Sequence, residues 1–401
     1  MKRIVIAFLL MALAIAECGA QQTVENVIRR SRAKSALVRS GHYVMQQKYK
    51  YLSHPDTSTT IFTCDFKMVS TDTLFGKYFS LTNCYPGDTS RFLYTGKEMV
   101  VSFNDTTGTI ISCDKWANVI EGWRHQLTFY TPLTEQSVSP FPSEENLADS
   151  NYFYSLSETV LNGRPCYLVD ILCPVDSNEY MGIRSLRYEI NLWIDKKDYR
   201  PLQYSKAVDI LQQKDTMYQY EECKLLSFSS EVNESKFALS SIPASVTLSD
   251  YAPYNAPVPL AVGSQAPDWS LPSLDGDTVR LADLKGKVVL LDFFYKSCAP
   301  CCAALPKLQS LHEKYKDRGF VMIGIDPIDN PQKDKMSDFL SKRDITYTVL
   351  FSDRQLPQTY RVQGYPTLFF LDREGKIAKI HVGFSKDMED AIEEQLLKML
   401  E

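Results

Sequence analysis

Histidine is scarce, long basic runs are missing, and only one Cys-X-X-Cys pair is present. The 401 residues hold five histidines. His42, His54 and His125 are scattered, and His312 and His381 stand alone. No Ser-His-Asp or paired-carboxylate pattern forms around them, which leaves residues 21–250 without a recognisable catalytic constellation. No Lys/Arg block resembles a phosphate-binding patch, and the formal net charge is -5. Nucleic acid is therefore not an expected partner. Structural zinc needs about four nitrogen or sulfur ligands, and a lone Cys-X-X-Cys does not supply them. No metal and no separate cofactor is expected. Beyond the first residues, no apolar run is long enough to cross a bilayer as a helix.

What is present is a folding composition, with 44% hydrophobic and 23% charged residues. At roughly 150 residues per domain, two or three domains are expected. Lys2 and Arg3 precede an apolar run from Ile4 to Ala16, and Cys18-Gly19-Ala20 offers small residues before Gln21. This order is that of a secretory signal over residues 1–20, cut after Ala20. The alternative is a lipoprotein signal with Cys18 as the lipidated residue. Either predicts a periplasmic or outer-membrane-associated protein of a Gram-negative bacterium.

Removing residues 1–20 leaves nine of the ten cysteines. An exported chain can keep disulfides. Cys64 and Cys84 are equidistant from Leu74, so a hairpin folded there predicts a Cys64–Cys84 bridge. Cys113, Cys166, Cys173 and Cys223 cannot be paired from sequence.

Residues 24–38 read as one amphipathic helix. From Tyr43 to about Phe237, short Tyr-, Phe-, Thr- and Val-rich segments alternate with polar residues between turns. Asn162-Gly163 between two such runs predicts a tight hairpin. Residues 21–250 are thus a mostly antiparallel sheet with one helix to cover a face. Three prolines in 251–262 predict a stiff connector. The rhythm then changes. Residues 288–295 and 320–325 are continuous apolar runs, as strands buried on both faces require. A helix follows the first, another spans about Gln332 to Lys342, and a third strand covers 347–351. Residues 367–371 and 376–382 form a closing hairpin, and a last helix runs from Lys386 to Leu400. Residues 263–401 therefore predict an α/β sandwich with a mixed sheet.

The stretch Ser297-Cys298-Ala299-Pro300-Cys301-Cys302 opens the helix after the first buried strand. A purely structural disulfide there closes a tiny loop and stabilises little. A thiolate at a helix N-terminus meets unpaired N–H groups and the positive dipole end, so its pKa falls. Cys298 is expected at the exposed first position as attacker, and Cys301, one turn in, as the shielded resolving thiol. Pro300 suits an early helical turn, and Ala299 and Pro300 between the thiols tune the potential. Cys302 reads as a buried helix residue, or as a second partner for Cys301 or a sulfur for metal capture.

Strand, Cys-Ala-Pro-Cys, helix and the later Val362-Gln363-Gly364-Tyr365-Pro366-Thr367 resemble the thioredoxin fold. The lead-in Gly263–Asp268, Leu274-Asp-Gly276 and Leu284–Phe293 resembles TlpA/ResA-like thiol–disulfide oxidoreductases. The resemblance covers about residues 263–401. It implies that Cys298 and Cys301 are the redox pair and that the bond before Pro366 is cis. It places the Tyr365 backbone, with Ala299 and Pro300, against substrate. Asp292, six residues before Cys298, falls where thioredoxin keeps a buried carboxylate that serves the resolving thiol. Pro306 falls where a proline shapes the helix. The implied partners are disulfide-bearing exported proteins and an upstream, membrane-bound thiol donor. This chain departs from the pattern at Ser297, where a tryptophan is common.

The strand-rich texture of 21–250, including 191–201 and 237–243, resembles the LolA-like half-barrel. That resemblance implies a concave apolar face for a lipid tail or an apolar protein segment. The expected fold class is therefore two-domain: a mostly antiparallel β half-barrel with a helix, then an α/β thioredoxin-like fold. The leading function is reduction or exchange of disulfides in exported proteins. The alternatives are a peroxiredoxin-like peroxidase, although Tyr295-Lys-Ser-Cys298 lacks the upstream proline, or a lipid or protein carrier with an accessory redox module.

Overall fold

The computed structural model describes residues 22–51, 56–85, 88–126, 140–175, 177–178, 182–212, 215–253, 258–385 and 387–401. The signal-like residues 1–20 and the middle of the proline-rich connector lie outside the described residues. The chain opens with α1 (Val24–Ala36), whose first turn is capped by the Thr23 hydroxyl accepting from the Asn26 N–H at 3.3 Å. Such a cap satisfies one of the orphan donors of a helix start. Val27, Ile28, Ser31 and Ser35 form its buried stripe.

One large sheet follows. Its first half is a meander of β1 (Ser40–Lys50), β2 (Ser58–Met68), β3 (Lys77–Tyr85), β4 (Asp88–Tyr94), β5 (Glu98–Phe103) and β6 (Thr107–Ser112). Its second half is built from β7 (Phe153–Leu161), β8 (Arg164–Leu172), the short β9 (Ser177–Asn178), β10 (Ile183–Asp195), β11 (Pro201–Gln212) and β12 (Asp215–Ser229). β1 pairs antiparallel with β12 and joins the halves. A last strand, β13 (Thr247–Asp250), lies parallel to β6 at the edge. Among the described residues the strand order is linear, β13-β6-β5-β4-β3-β2-β1-β12-β11-β10-β8-β7, and the path does not close into a barrel.

The Asn162-Gly163 turn forms as the sequence predicts. Both residues have positive φ, 49° and 77°, the geometry that joins two twisted strands by a two-residue loop. The expected Cys64–Cys84 bridge does not form. In the β2–β3 ladder Cys64 faces Leu81 and Cys84 faces Ile61. Positions three apart in a strand point to opposite faces, so Cys64 is buried, Cys84 is exposed and both are free. The reason is Asp72, whose Oδ1 accepts from the Phe75 and Gly76 N–H groups and whose Oδ2 accepts from the Tyr94 hydroxyl. These bonds fold the hairpin about residues 72 and 73 instead of Leu74.

An unpredicted helix, α2 (Cys113–Gln126), follows β6. Ile120 on it is fully buried. Trp123 packs against Phe92 with centroids 6.1 Å apart, and Trp116 meets the Tyr251 ring edge-on at 5.3 Å. The Tyr251 N–H also donates to the Ile110 carbonyl at 2.8 Å. The first residue of the expected connector is thus tied to the first sheet. The short α3 (Glu144–Ala148) begins at a Ser143–Asn146 capping box.

The C-terminal part starts with a small hairpin, β14 (Ser270–Pro272) and β15 (Thr278–Arg280). Its main sheet comprises β16 (Val288–Phe293), β17 (Phe320–Asp326), β18 (Thr348–Phe351), β19 (Thr367–Leu371) and β20 (Ile377–Val382), in the order β18-β17-β16-β19-β20. β16, β17 and β18 run parallel, while β19 and β20 are antiparallel. The helices are α4 (Ala299–Tyr315), α5 (Met336–Ser341), α6 (Gln355–Thr359) and α7 (Met388–Leu400). Leu290, Phe294, Met322 and Phe370 pack under α4, α5 and α7. Val289, Leu291, Phe293 and Ile325 face the other way, onto Trp269 and Tyr360. Both faces of β16 are buried, as its unbroken apolar run requires. α5 is shorter than the expected Gln332–Lys342. Asn330 Oδ1 accepts from the N–H groups of Gln332 and Lys333, and Lys335 has φ 52°, so the chain turns there before it coils.

Gly163 tests the hairpin. A Cβ added there meets nothing within 4 Å. Gly163→Ala should still cost about 1–2 kcal/mol, because an L side chain in the left-handed region carries that backbone penalty. Urea unfolding measures it, and an unchanged midpoint would show that the turn is not held at positive φ.

Candidate active site

The site grows from the end of β16. The Phe294 N–H still donates to the Ile325 carbonyl at 3.0 Å, and the Cys298 N–H donates to Tyr295 O at 3.2 Å. This turn delivers Cys298 to the N-cap of α4. Its Sγ accepts from the Cys301 N–H at 3.1 Å. Ala299 and Pro300 form the half-buried first turn, where proline loses nothing by lacking an N–H. Leu305, Leu308 and Leu311 are buried at helical spacing and anchor α4 to the sheet. Pro306 lies inside the helix and cannot donate to the Cys302 carbonyl.

Cys298 and Cys301 are joined as a disulfide, with Cα atoms 5.2 Å apart. Cys301 is 1% exposed, and Cys298 is nearly sealed as well, at 4%. The expected open position for Cys298 is therefore not what the fold presents. Tyr295 meets Tyr365 edge to face with centroids 5.2 Å apart, which sets the Tyr365-Pro366 loop beside the motif. The bond between Tyr365 and Pro366 is cis, and Pro366 is buried.

Cys302 is buried, donates to the Lys296 carbonyl at 3.4 Å and has its thiol pushed up to about 11, chiefly by burial. Such a thiol stays protonated near neutrality, and the residue serves the helix core. Among the described residues no group of three or more His, Cys, Asp or Glu side chains could hold a metal.

Asp292 is fully buried below the motif, and neither carboxyl oxygen has a hydrogen-bond partner. Burial pushes its pKa up to about 8. The cross-strand neighbour of Asp292 is Gly324, where an added Cβ would lie 2.9 Å from a Phe294 ring carbon. Tyr347 lies within electrostatic reach. Its buried hydroxyl is also unpartnered, and burial, then the charges of Asp292 and Cys302, push its pKa up.

Four features of the site carry no sequence signal. Asp326, at the end of β17, is fully buried, with Oδ1 accepting from the Ile328 and Asp329 N–H groups and Oδ2 unpartnered. Burial and the neighbouring Asp329 push its pKa up. Lys296 donates its backbone N–H to Asp329 Oδ2 and its Nζ to the Asp334 carbonyl, both at 2.6 Å. Gln212 at the end of β11 donates from Nε2 to the Ala299 carbonyl at 3.3 Å. Asp215 at the start of β12 accepts from Lys342 Nζ at 2.9 Å and Arg343 Nη1 at 3.2 Å. Chain separations of 87 to 128 residues explain why local pattern does not reveal the last two.

A parallel–antiparallel five-stranded sheet with a half-cystine pair opening the helix after its central strand defines a thioredoxin-like redox protein. Sequence relatives agree. Residues 262–380 match the model of the AhpC/TSA family. Over 134 residues the chain is 35% identical to the thioredoxin-like protein YneN of Bacillus subtilis (strain 168), covering 33% of this chain and 78% of that protein. Over 125 residues it is 31% identical to the thiol-disulfide oxidoreductase ResA of Bacillus anthracis, covering 31% of this chain and 71% of that protein. Among solved structures, the thioredoxin domain of a thiol-disulfide oxidoreductase from Bacteroides vulgatus is 28% identical, with a TM-score of 0.31, covering 34% of this chain and 98% of that chain. Through its C-terminal part this chain belongs to the thioredoxin-like thiol–disulfide oxidoreductases. The LolA-like reading of residues 21–250 finds no such support: the family match begins at residue 262.

The buried carboxyl of Asp292 has a thermodynamic signature. Its pKa is about 8 in the folded chain and about 4 in an unfolded one. Between those values the folded state holds the extra proton, so this group's contribution to stability falls as pH rises from about 4 to about 8 and is level above. Relative to wild type, Asp292→Ala should gain about 4 kcal/mol between pH 5 and pH 8.5, at about 1.36 kcal/mol per pKa unit. Urea unfolding at the two pH values reads this difference, in which the pH-independent cost of the cavity cancels. A difference that does not change with pH would mean that Asp292 is already ionised inside the fold.

Proposed function

We propose that this enzyme is exported and reduces or exchanges disulfides of extracytoplasmic proteins through Cys298 and Cys301. The observation that carries the reading is the bonded Cys298–Cys301 pair with Cys298 Sγ at the N-cap of α4, 3.1 Å from the Cys301 N–H. In the reduced enzyme the same N–H and the helix dipole favour a Cys298 thiolate. That thiolate attacks one sulfur of a substrate disulfide, forms a mixed disulfide and expels the other sulfur as a thiolate. Cys301 gives up its proton, which Asp292 takes in the molecules whose carboxyl is ionised, and its sulfur attacks Cys298 Sγ. The Cys298–Cys301 bond forms and the second substrate sulfur leaves. Two electrons pass to the substrate, and an upstream thiol donor, membrane-bound in this reading, returns them to the pair. Tyr365, Ala299 and Pro300 line the approach to substrate, and Pro366 shapes the loop that carries Tyr365.

Export rests on residues 1–20 as a signal, with lipidation at Cys18 as the alternative, and the location is the periplasm or outer membrane of a Gram-negative cell. Among the described residues no helix is long and apolar enough to cross a membrane. The chain divides as 21–250, a connector at 251–262 and the redox domain at 263–401. The first unit positions the second on its partners, and a lipid tail or apolar protein segment is a ligand to test on it.

Insulin reduction by the reduced protein tests the reading. Cys298→Ser should abolish turnover. Cys301→Ser should still attack but stall, accumulating mixed disulfides through Cys298 that are visible on non-reducing gels of an extracytoplasmic extract. Peroxide turnover without insulin reduction would replace the reading with a peroxidase, and an absence of trapped species would remove it.

A further inference from the structure

Among the described residues, the N-terminal sheet reaches the redox motif at the end of β11. β11 and β12 stay paired to the Gln212–Asp215 rung, the last of their ladder. Both residues of that rung contact the C-terminal part. The Gln212 side chain donates to the Ala299 carbonyl, inside the Cys-X-X-Cys turn. Asp215 accepts from Lys342 and Arg343, just after α5.

The seam is built, because Arg343 needs it. Its side chain is 0% exposed, lies 4.0 Å above the centroid of the Phe339 ring and donates to the Phe339 carbonyl at 3.3 Å. A guanidinium removed from water is costly unless a carboxylate meets it, and Asp215 brings one across the seam. Burial works against the Asp215 charge, but bonds and charges from Lys342 and Arg343 hold its carboxyl below the ordinary range. Cys298 is the chain neighbour of the Ala299 whose carbonyl the seam engages. An attacking sulfur must approach a substrate disulfide directly, and at 4% exposure it has little room for one.

We propose that the Gln212–Asp215 rung is a cap over the Cys298–Cys301 site, clamped by Asp215 to Lys342 and Arg343, and that a protein disulfide reaches Cys298 only by displacing it. This rests on the reading of Cys298 as attacker and adds a gate to it. Displacement breaks the Gln212–Ala299 bond and the Asp215 ion pairs, and leaves both disulfide partners covalently intact.

The test uses the full chain, reduced and pulsed with iodoacetamide, with modification of Cys298 quantified by peptide mass spectrometry. Two variants open the clamp from opposite sides. Asp215→Ala removes a negative charge, and Lys342→Glu puts two carboxylates face to face at a position that is 58% exposed. Both should raise the Cys298 modification rate by about tenfold, the effect of about 1.4 kcal/mol on an opening equilibrium. The pair excludes a simple electrostatic effect on the thiolate. Asp215→Ala makes the surroundings more positive and Lys342→Glu makes them more negative, so a shifted thiol pKa alone would move the two rates in opposite directions. Opposite shifts, or rates equal to wild type, overturn the cap. Insulin reduction in the same samples reports on the underlying reading. Faster modification with no reduction by any of the three proteins would leave the cap standing and remove the reductase.

Discussion

The structure depends on the N-terminus of α4 being held at the end of β16. A helix start exposes unsatisfied N–H groups and a partial positive charge, and this fold aims them at one sulfur, Cys298. The placement is enforced by packing. Leu305, Leu308 and Leu311 bury one stripe of α4 against a strand that is buried on both faces, so the helix can neither rotate nor slide without opening the core. The chemistry of the pair follows from that fixed geometry, and Pro300 suits the same first turn without disturbing a hydrogen bond.

Beneath the motif the fold accepts polar groups that it does not satisfy. The Asp292 oxygens, the Tyr347 hydroxyl and Asp326 Oδ2 are buried without hydrogen-bond partners. Each costs on the order of 1–3 kcal/mol, a large part of the net stability of a single domain. Gly324 opposite Asp292 keeps the space tight, since a side chain there would strike Phe294. A carboxyl kept dry in this way is neutral over most of the neutral range and takes up or releases one proton near its upper end.

The N-terminal sheet is two antiparallel meanders joined along β1 and β12. That junction places the β11–β12 end at the redox motif and gives a sheet without a catalytic constellation a direct contact with the chemistry. Among the described residues its contacts include one amide and a carboxylate between two cations. An apolar seam of similar extent would hold the two parts together more permanently.

Much of the C-terminal part was legible along the chain. The apolar runs of β16 and β17, the thiols opening α4, and Asp292 six residues before Cys298 are local signals, because strand burial and helix starts are set by neighbours a few residues apart. The Asn162-Gly163 turn was readable for the same reason. Other features were not. The β2–β3 register was decided by hydrogen bonds to the Asp72 carboxylate, one of them from Tyr94 in a third strand, and a shift of three positions carried Cys64 and Cys84 to opposite faces. α2 was hidden in a strand-rich composition, and its tryptophans found their partners only in the folded sheet. Gln212 stands 87 residues from Ala299 in sequence, and only the tertiary structure sets it against the motif; the 4% exposure of Cys298 is likewise a tertiary result. Sequence by itself determined which atoms are able to react, since that is a matter of residue type and local backbone. Which of them a partner can reach was left to the tertiary structure, because access depends on what distant parts of the chain lay over the site.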